Sequence, residues 1–361
     1  MKIKIESSKL GGAVSQVSRI VKAKDATDPF AFMSVVAKEG FVTVTGANGS
    51  VSVAIKSPCE VHAEGEVALY AKYFASFAGA LPSGIAEFAC TNNVRASLEV
   101  GGTRFALAAK ENDVKALEIG EVESSFVVSS AVLKELIRKT SPAMSHDDTR
   151  RTLMGILFEG DGHTLKVVAT DGRRLHMVET ALEHSSPIRF VLRMDAASVV
   201  SNLLGDAEQV TVVSGRNGVE FSTDAWTVRA AIPADPYPVY SRVFPDESKL
   251  TTTVTIDREA LKGALARAVL ATDGDSSCAR LTITEGAVSV SSSSGDERTM
   301  VASIPAKVTG GKLVVSFNAK LVNDALGVIE GNEVRILTAD KLPMVIKCAV
   351  PFYAVVSPLR V

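Results

Sequence analysis

Cysteine and histidine are the side chains in this sequence that are best suited to bind a metal ion or to act in catalysis. The chain has 361 residues, and the candidates are Cys59, Cys90, Cys278, Cys348, His62, His146, His163, His176 and His184. No cysteine has CxxC spacing or an adjacent histidine, which argues against a zinc site and against a disulfide framework. We therefore predict no metal, no cofactor and a reducing, cytoplasmic location.

Motifs for phosphate binding and hydrolysis are absent from the sequence. It contains no GxxxxGK[ST] phosphate loop, no GxSxG nucleophile turn and no HExxH metal motif. A Ser-His-Asp set assembled in space remains open, because triads do not follow sequence order. The sequence favours a protein that is not an enzyme.

The segment Thr149 to Met177 combines charge with apolar residues in a way that could bind a ligand. Within it, Asp171-Gly172 predicts a hairpin turn. Such a turn would expose Arg173 and Arg174 beside Leu175, an apolar centre with a charged edge that also suits a ligand-binding rim. Both interpretations stay open on sequence alone.

Composition places the chain among ordinary globular proteins. Hydrophobic residues make up 46%, charged residues 22%, and the formal net charge is -2. The chain has no apolar run of 18 residues, and its opening MKIKIESSKL turns polar too soon for a signal peptide. The length favours two or three domains.

The elements that must position these residues recur along the chain. Apolar residues with helical spacing predict three similar helices, whose Leu10, Leu133 and Leu261 align at steps of about 120 residues. Three further helices are predicted, one after each of these. The six predicted helices span residues 8–24, 71–81, 130–140, 193–204, 257–271 and 318–330.

Each helix is followed by short alternating strands with glycine turns, which predict antiparallel meanders. The sequence thus predicts an α+β fold of six helix-plus-meander units, paired into three domains over residues 1–120, 124–246 and 250–361. An unrelated α+β protein also alternates helices and strands, but here the order and the spacing recur together. Unpaired edge strands at the two ends would favour a head-to-tail dimer that closes into a ring.

Basic charge is concentrated on the predicted helices. They hold 13 Lys or Arg and 6 Asp or Glu, whereas the chain as a whole has 39 basic and 41 acidic residues. A solvated helix face would explain this excess. A surface that attracts DNA phosphates without reading the bases would explain it equally.

At Thr149 to Met177 the sequence resembles the beta subunit family of bacterial DNA polymerase III, the beta sliding clamps. The pattern RxxLxGILFE followed by VATDGRRL is similar to that family's most recognisable signature. The opening MKIKI, the segment PADPYPVYSRVFP, ALARAVL and the ending VVSPLRV are further matches. Together with the threefold repeat, the resemblance covers nearly the whole chain.

The resemblance implies three clamp domains per chain and a homodimeric ring, with helices lining the hole and sheets outside. It implies a non-catalytic processivity factor that encircles double-stranded DNA. It also implies a pocket that binds short peptides of the polymerase, the clamp loader and repair proteins. The alternatives are a ring of a phage or plasmid replisome, a structural repeat protein, and a small-molecule enzyme that uses the Asp171 turn.

The resemblance also assigns residues to the two sites. The partner-peptide pocket would comprise Arg150, Leu153, Thr170, Gly172, Arg173, Arg174, Leu175, Pro238, Arg242, Val243, Val356, Pro358, Leu359 and Arg360. Resemblance and helix charge together indicate a DNA-facing set of Lys24, Lys72, Arg138, Arg151 and Arg267.

Four places depart from the family pattern. Arg173 stands where the family often has His or an aromatic residue, and Arg151-Thr152 stands where an aromatic pair can occur. Ser357 and Val361 replace larger apolar residues. These differences imply a shallower pocket, or one adapted to a different peptide, and an altered DNA contact.

Overall fold

A computed structural model describes residues 1–22, 25–182, 187–205, 209–272, 277–294, 298–348 and 351–359. The chain forms two compact units. Unit 1 contains residues 1–131 and 195–232, and unit 2 contains residues 132–194 and 233–361. Each unit is built on one large antiparallel sheet.

The sheet of unit 1 has thirteen strands in the described chain, ordered β10-β15-β16-β17-β4-β3-β2-β6-β9-β8-β7-β1-β5. Their bounds are β1 Lys2–Glu6, β2 Phe32–Lys38, β3 Phe41–Ala47, β4 Val51–Pro58, β5 Glu60–Ala63, β6 Gly65–Tyr70, β7 Ile85–Thr91, β8 Arg95–Val100, β9 Thr103–Lys110, β10 Val122–Ser129, β15 Gln209–Gly215, β16 Gly218–Ser222 and β17 Trp226–Ala231.

The sheet of unit 2 has twelve strands over its described residues, ordered β14-β11-β12-β13-β25-β24-β23-β18-β21-β20-β19-β22. Their bounds are β11 Gly155–Gly160, β12 Thr164–Thr170, β13 Arg174–Ala181, β14 Ile188–Arg193, β18 Thr252–Asp257, β19 Cys278–Thr284, β20 Ala287–Ser294, β21 Arg298–Thr309, β22 Leu313–Asn318, β23 Glu333–Thr338, β24 Met344–Lys347 and β25 Phe352–Val356.

The six predicted helices are all present. They are α1 Ser7–Ser18, α2 Ala71–Gly79, α3 Ser130–Thr140, α4 Met194–Leu203, α5 Arg258–Leu270 and α6 Ala319–Val328. The Asp257 carboxylate accepts a hydrogen bond from Ala260 N at 2.7 Å, and the Asn318 side chain accepts one from Leu321 N at 3.1 Å. These two side chains cap α5 and α6 at the backbone N–H groups that have no partner within the helix.

The prediction for the first helix was too long. Helix α1 ends at Ser18, and the following backbone N–H groups of Arg19 and Ile20 bond to carbonyls three residues back. The predicted end at Lys24 lies outside the described residues. Helical periodicity continues past the true end because Ile20 is still buried, so apolar spacing alone could not locate it.

The predicted repeat of helix and meander is confirmed by the order of the elements. Gly40 and Gly286 lie at equivalent places, in the turns that precede β3's Phe41 and β20's Ala287, and their φ angles are 80° and 76°. A side chain at either position would be strained, so both copies use glycine for the same turn.

Two strand pairings occupy equivalent positions in the repeat, one in each unit. In unit 1, β17 pairs with β4, with Val228 opposite Val53. In unit 2, β25 pairs with β13, with Val355 opposite Leu175. These pairings divide the elements of the middle segment between the two units. The domain bounds 1–120, 124–246 and 250–361 therefore stay a prediction.

Candidate functional site

The Asp171 turn, residues 171–173, is held rigidly by its own side chains. Asp171 Oδ1 accepts hydrogen bonds from Arg173 N at 2.8 Å and from Arg174 N at 2.9 Å. Thr170 Oγ1 donates to Arg174 O at 2.5 Å and accepts from Gly172 N at 3.1 Å. Gly172 has φ 85°, which favours glycine. The Asp171 carboxylate is fully engaged in this turn, which gives the enzyme hypothesis no support.

Arg174 points into the protein rather than towards a ligand. Its side chain is 8% exposed, and its Nε lies 3.1 Å from Asp171 Oδ2. Its Nη1 lies 2.6 Å from Oδ2 of Asp324, which belongs to α6. The sequence predicts that the turn exposes Arg174, and this prediction is wrong because two carboxylates hold its guanidinium inside the protein. Its assignment to the peptide pocket stays a prediction.

The C-terminal segment joins the turn to the far end of the sheet. Ser357 N donates to Arg173 O at 2.9 Å, one residue beyond the pairing of Val356 with Arg174. Leu359 N then donates to Ser316 O at 2.8 Å. Residues that are some 180 positions apart in sequence are thereby brought into one surface.

An apolar cluster draws on three of the stretches to which the resemblance assigned pocket residues, 150–153, 170–175 and 238–243. Its buried members are Leu157, Val168, Leu175, Met177, Val191, Tyr237, Leu250, Leu337, Ala339, Val345 and Val355. Partly buried residues packed against it are Leu153, Tyr240, Val243, Phe244, Leu342 and Tyr353. Leu153, Leu175 and Val243 are thus brought together in one cluster, and their assignment to a peptide pocket stays a prediction.

The apolar cluster contains Val355 and not its neighbour Val356, whose assignment to the peptide pocket stays a prediction. Both are buried, with 1% and 0% exposure. Successive side chains of a strand point to opposite faces, so only one of the two can face the cluster. The alternation along β25 was the signal that could have identified Val355.

Unit 2 contains two cavities that are lined by residues of the stretches named above. The first, which we call the tail cavity, has a volume of about 830 Å³ and is lined by Arg280, Val314, Val315, Ser316, Asp340, Lys341, Pro343, Ser357, Pro358 and Leu359. The second, which we call the arginine cavity, has a volume of about 570 Å³ and is lined by Asp148, Thr149, Arg150, Arg151, Thr152, Leu153, Asp235, Pro236 and Pro238.

Three arginines that the resemblance assigned to the peptide pocket are exposed, and one of them, Arg150, lines the arginine cavity. Arg150 lies in a 3₁₀ segment, Asp148–Leu153, and its Nη1 donates to Asp171 O at 3.2 Å. Arg173 and Arg242 are exposed. Arg360 and Val361 lie outside the described residues, so their assignments stay predictions.

The predicted DNA-facing residues differ in their surroundings. Lys72 on α2, Arg267 on α5 and Arg151 are exposed, whereas Lys24 lies outside the described residues. Arg138 on α3 is already paired: its Nε lies 2.6 Å from Glu135 Oε2, and its Nη2 lies 3.2 Å from Glu330 Oε1.

The Arg138 guanidinium forms ion pairs with the carboxylates beside it. Its hydrogen bond to Glu135, together with that of Lys139, lowers the pKa of the Glu135 carboxyl to about 2 despite partial burial. Arg138 Nη2 also donates to the carbonyl of Val328, near the end of α6, at 3.1 Å. Arg138 therefore holds the end of α6, and its place in the DNA-facing set stays a prediction.

The basic excess on the helices is smaller than predicted. Within the observed bounds the six helices carry nine Lys or Arg and four Asp or Glu. The difference arises mainly because α1 ends before Arg19 and Lys22. The helices still carry a net positive charge, although the chain as a whole has a net negative charge. Such a charge is expected of a surface near phosphates.

His176 is a buried titratable group close to the site. Its Nδ1 lies 2.9 Å from the carbonyl of Lys139, which makes Nδ1–H the donor, and its Nε2 is buried without a hydrogen-bond partner. Desolvation lowers the pKa of His176 to about 4, although the bond to Lys139 opposes the shift. The ring is therefore neutral in the folded protein at neutral pH.

This burial predicts an acid-sensitive stability. The pKa of His176 is lower in the folded than in the unfolded state. The contribution of the neutral ring to the free energy of unfolding is therefore complete above about pH 6.5 and is lost as the pH falls towards 4. Between pH 7 and pH 4.5 the free energy of unfolding should fall by about 2–3 kcal/mol more in the parent than in His176→Asn. Urea unfolding at both pH values measures this, and equal losses would contradict it.

Metal-binding and membrane-spanning features were sought among the described residues. In that part of the chain, no group of three or more His, Cys, Asp or Glu side chains is placed to hold a metal ion. None of its helices is long and apolar enough to cross a membrane.

Comparison with known proteins matches almost the whole chain to one family. Family models for the DNA polymerase III beta subunit match its N-terminal domain to residues 1–114, its central domain to 127–238 and its C-terminal domain to 241–356. The chain is 26% identical over 330 residues to a beta sliding clamp of Pseudomonas aeruginosa, covering 90% of this chain and 89% of that protein.

A second relative and a solved structure agree with this match. The chain is 26% identical over 349 residues to a beta sliding clamp of Salmonella typhimurium, covering 96% of this chain and 95% of that protein. A Pseudomonas aeruginosa sliding clamp, DNA polymerase III subunit beta, bound to griselimycin superimposes with a TM-score of 0.95 at 24% identity over the full length of both chains. At this identity the structural likeness establishes the fold.

Proposed function

The chain belongs to the DNA polymerase III beta subunit family, the beta sliding clamps, and from this premise we propose how it works as a DNA polymerase processivity factor. It is an accessory subunit that carries out no catalysis. We propose that two copies close head to tail around duplex DNA, with the helices facing the phosphates, in the cytoplasm. Domains close to 1–120, 124–246 and 250–361 would each supply two helices.

The free sheet edges support the head-to-tail contact. Residues 103–108 of β9 pair with β8, and residues 298–305 of β21 pair with β20; no strand in the described chain pairs with their other edges. By the repeat, β9 is the counterpart of β17 and β25, and β21 is the counterpart of β4 and β13. The pairing that joins domains within the chain would therefore join β9 to β21 of the partner subunit.

The repeat also specifies the register of this contact. Phe105 occupies the place of Val228, because both lie opposite the equivalent residues Leu98 and Phe221. Met300 occupies the place of Val53, because both lie opposite the equivalent residues Ser292 and Gly46. Phe105 should therefore face Met300 of the partner subunit.

Exposed apolar side chains near both edges fit such burial. Val301 on β21 and Leu270 at the end of α5 are 73% and 74% exposed, and Tyr73 on α2 is 55% exposed. Large exposed apolar residues are a feature of surfaces that become covered in an assembly. A ring would bury them together with the free backbone groups of both edges.

A disulfide can test both the ring and its register. Ala106 should lie directly opposite Thr299 of the partner subunit, and both side chains are exposed. The double variant Ala106→Cys, Thr299→Cys should oxidise to a covalent dimer in high yield, because facing residues of antiparallel strands are within reach of a disulfide. Non-reducing electrophoresis and mass measurement show the product.

Two controls separate the register from the ring. Each single variant should stay monomeric on a denaturing gel, and Ala106→Cys with Val301→Cys, displaced by two residues, should cross-link poorly. A native mass of one chain for the parent would contradict the dimer. A dimer that cross-links only in the displaced pair would contradict the register alone.

The partner-peptide site is proposed to run from the arginine cavity to the tail cavity. Leu153, which lines the arginine cavity, and Val243 and Leu342 pack against the apolar cluster, and their partial exposure leaves apolar surface for Leu or Phe anchors. Arg150, Arg173 and Arg242 would bind polar groups at the edges. A relative that was solved with griselimycin is the basis for proposing that this chain also binds griselimycin.

A further inference from the structure

We propose that Asp324, on α6, is a positioning residue for the partner-peptide site. It would act by holding Arg174, and through Arg174 the Asp171 turn that joins both sides of that site. This inference rests on the proposed peptide site. It adds to that site a residue that lines neither cavity.

The contact between Asp324 and Arg174 has the geometry of a strong ion pair. Asp324 Oδ2 lies 2.6 Å from Arg174 Nη1, and the two side chains are 33% and 8% exposed. Asp171 is the other carboxylate bound to the guanidinium, at 3.1 Å. Loss of one partner would leave a buried cation half compensated, which is costly in a site that water reaches poorly.

A shift of Arg174 would be passed directly to the surface. The Arg174 backbone N–H and its Nε both bond to Asp171, so the side chain and the turn move together. The turn holds two walls of the proposed site. Asp171 O accepts from Arg150 Nη1 beside the arginine cavity, and Arg173 O accepts from Ser357 N beside the tail cavity.

A second ion pair offers a matched control. Arg138 binds Glu330 at 3.2 Å and the carbonyl of Val328 at 3.1 Å, just beyond and at the end of α6. This pair links the end of α6 to α3, but Arg138 makes no bond to the Asp171 turn. Weakening this pair loosens α6 without releasing the turn.

The test compares Asp324→Asn with Glu330→Gln in the full-length protein. Asp324→Asn keeps the size of the side chain but removes its charge, so the dissociation constant for griselimycin should rise about tenfold or more. Glu330→Gln should change that constant less than twofold, and Asp324→Glu should recover part of the affinity. Calorimetry measures binding, and thermal melting shows that all variants remain folded.

A synthetic hexapeptide with Leu and Phe anchors provides a second probe. If the parent binds neither probe, the proposed peptide site is wrong. If the parent binds and Asp324→Asn binds as tightly, the positioning role is wrong. Equal weakening by Asp324→Asn and Glu330→Gln would also overturn it, because general loosening of α6 would then explain the loss.

Discussion

Once loaded on a nicked circular DNA, the protein should stay bound through a wash in about 1 M salt, where the screening length is about 3 Å. It should be released almost completely when the circle is cut. Direct phosphate contacts lose affinity steeply with salt, whereas a closed ring is retained by topology. The fraction of labelled protein that elutes with the DNA on gel filtration measures the effect.

The disulfide variant sharpens this experiment. Rings oxidised after loading should remain on circular DNA even longer, because both chain-to-chain contacts are then covalent. Rings oxidised before loading should fail to load. Equal retention of the parent on linear and circular DNA would mean that it does not encircle the duplex.

Removal of residues 357–361 should abolish most peptide binding while the dimer persists. Ser357, Pro358 and Leu359 line the tail cavity, so the truncation deletes one of its walls. Loss of burial for one Leu or Phe anchor is worth about 1.5–3 kcal/mol, which is roughly a 10- to 100-fold rise in the dissociation constant. Calorimetry with griselimycin measures the loss of binding, and native mass measurement shows whether the dimer persists.

The same segment also contributes to the sheet, and stability must be separated from binding. The truncation removes the backbone bonds from Ser357 to Arg173 and from Leu359 to Ser316, worth about 0.5–1.5 kcal/mol each. Glu247→Gln is a suitable control, because it weakens the Glu247–Lys347 ion pair away from both cavities. Truncated dimer that binds griselimycin as tightly as the parent would contradict the assignment.

Much of the fold could be predicted from local patterns. The six helices follow from apolar spacing, because burial of one helix face repeats every three to four residues regardless of what lies across from it. Glycine turns between alternating strands predicted the meanders for the same local reason. Signature residues such as Leu153, Leu175 and Val243 could be assigned to one site only through the resemblance.

The sequence by itself thus determined the repeat, the elements and the family. Tertiary structure alone decided which charges are free: Arg174 is bound by Asp324 and Arg138 by Glu330, partners 150 and 192 positions away. It also decided that Val355 rather than Val356 joins the apolar cluster. Composition counts charges and periodicity finds buried faces, but ion pairing and the choice of face depend on which distant segments meet when the sheets form.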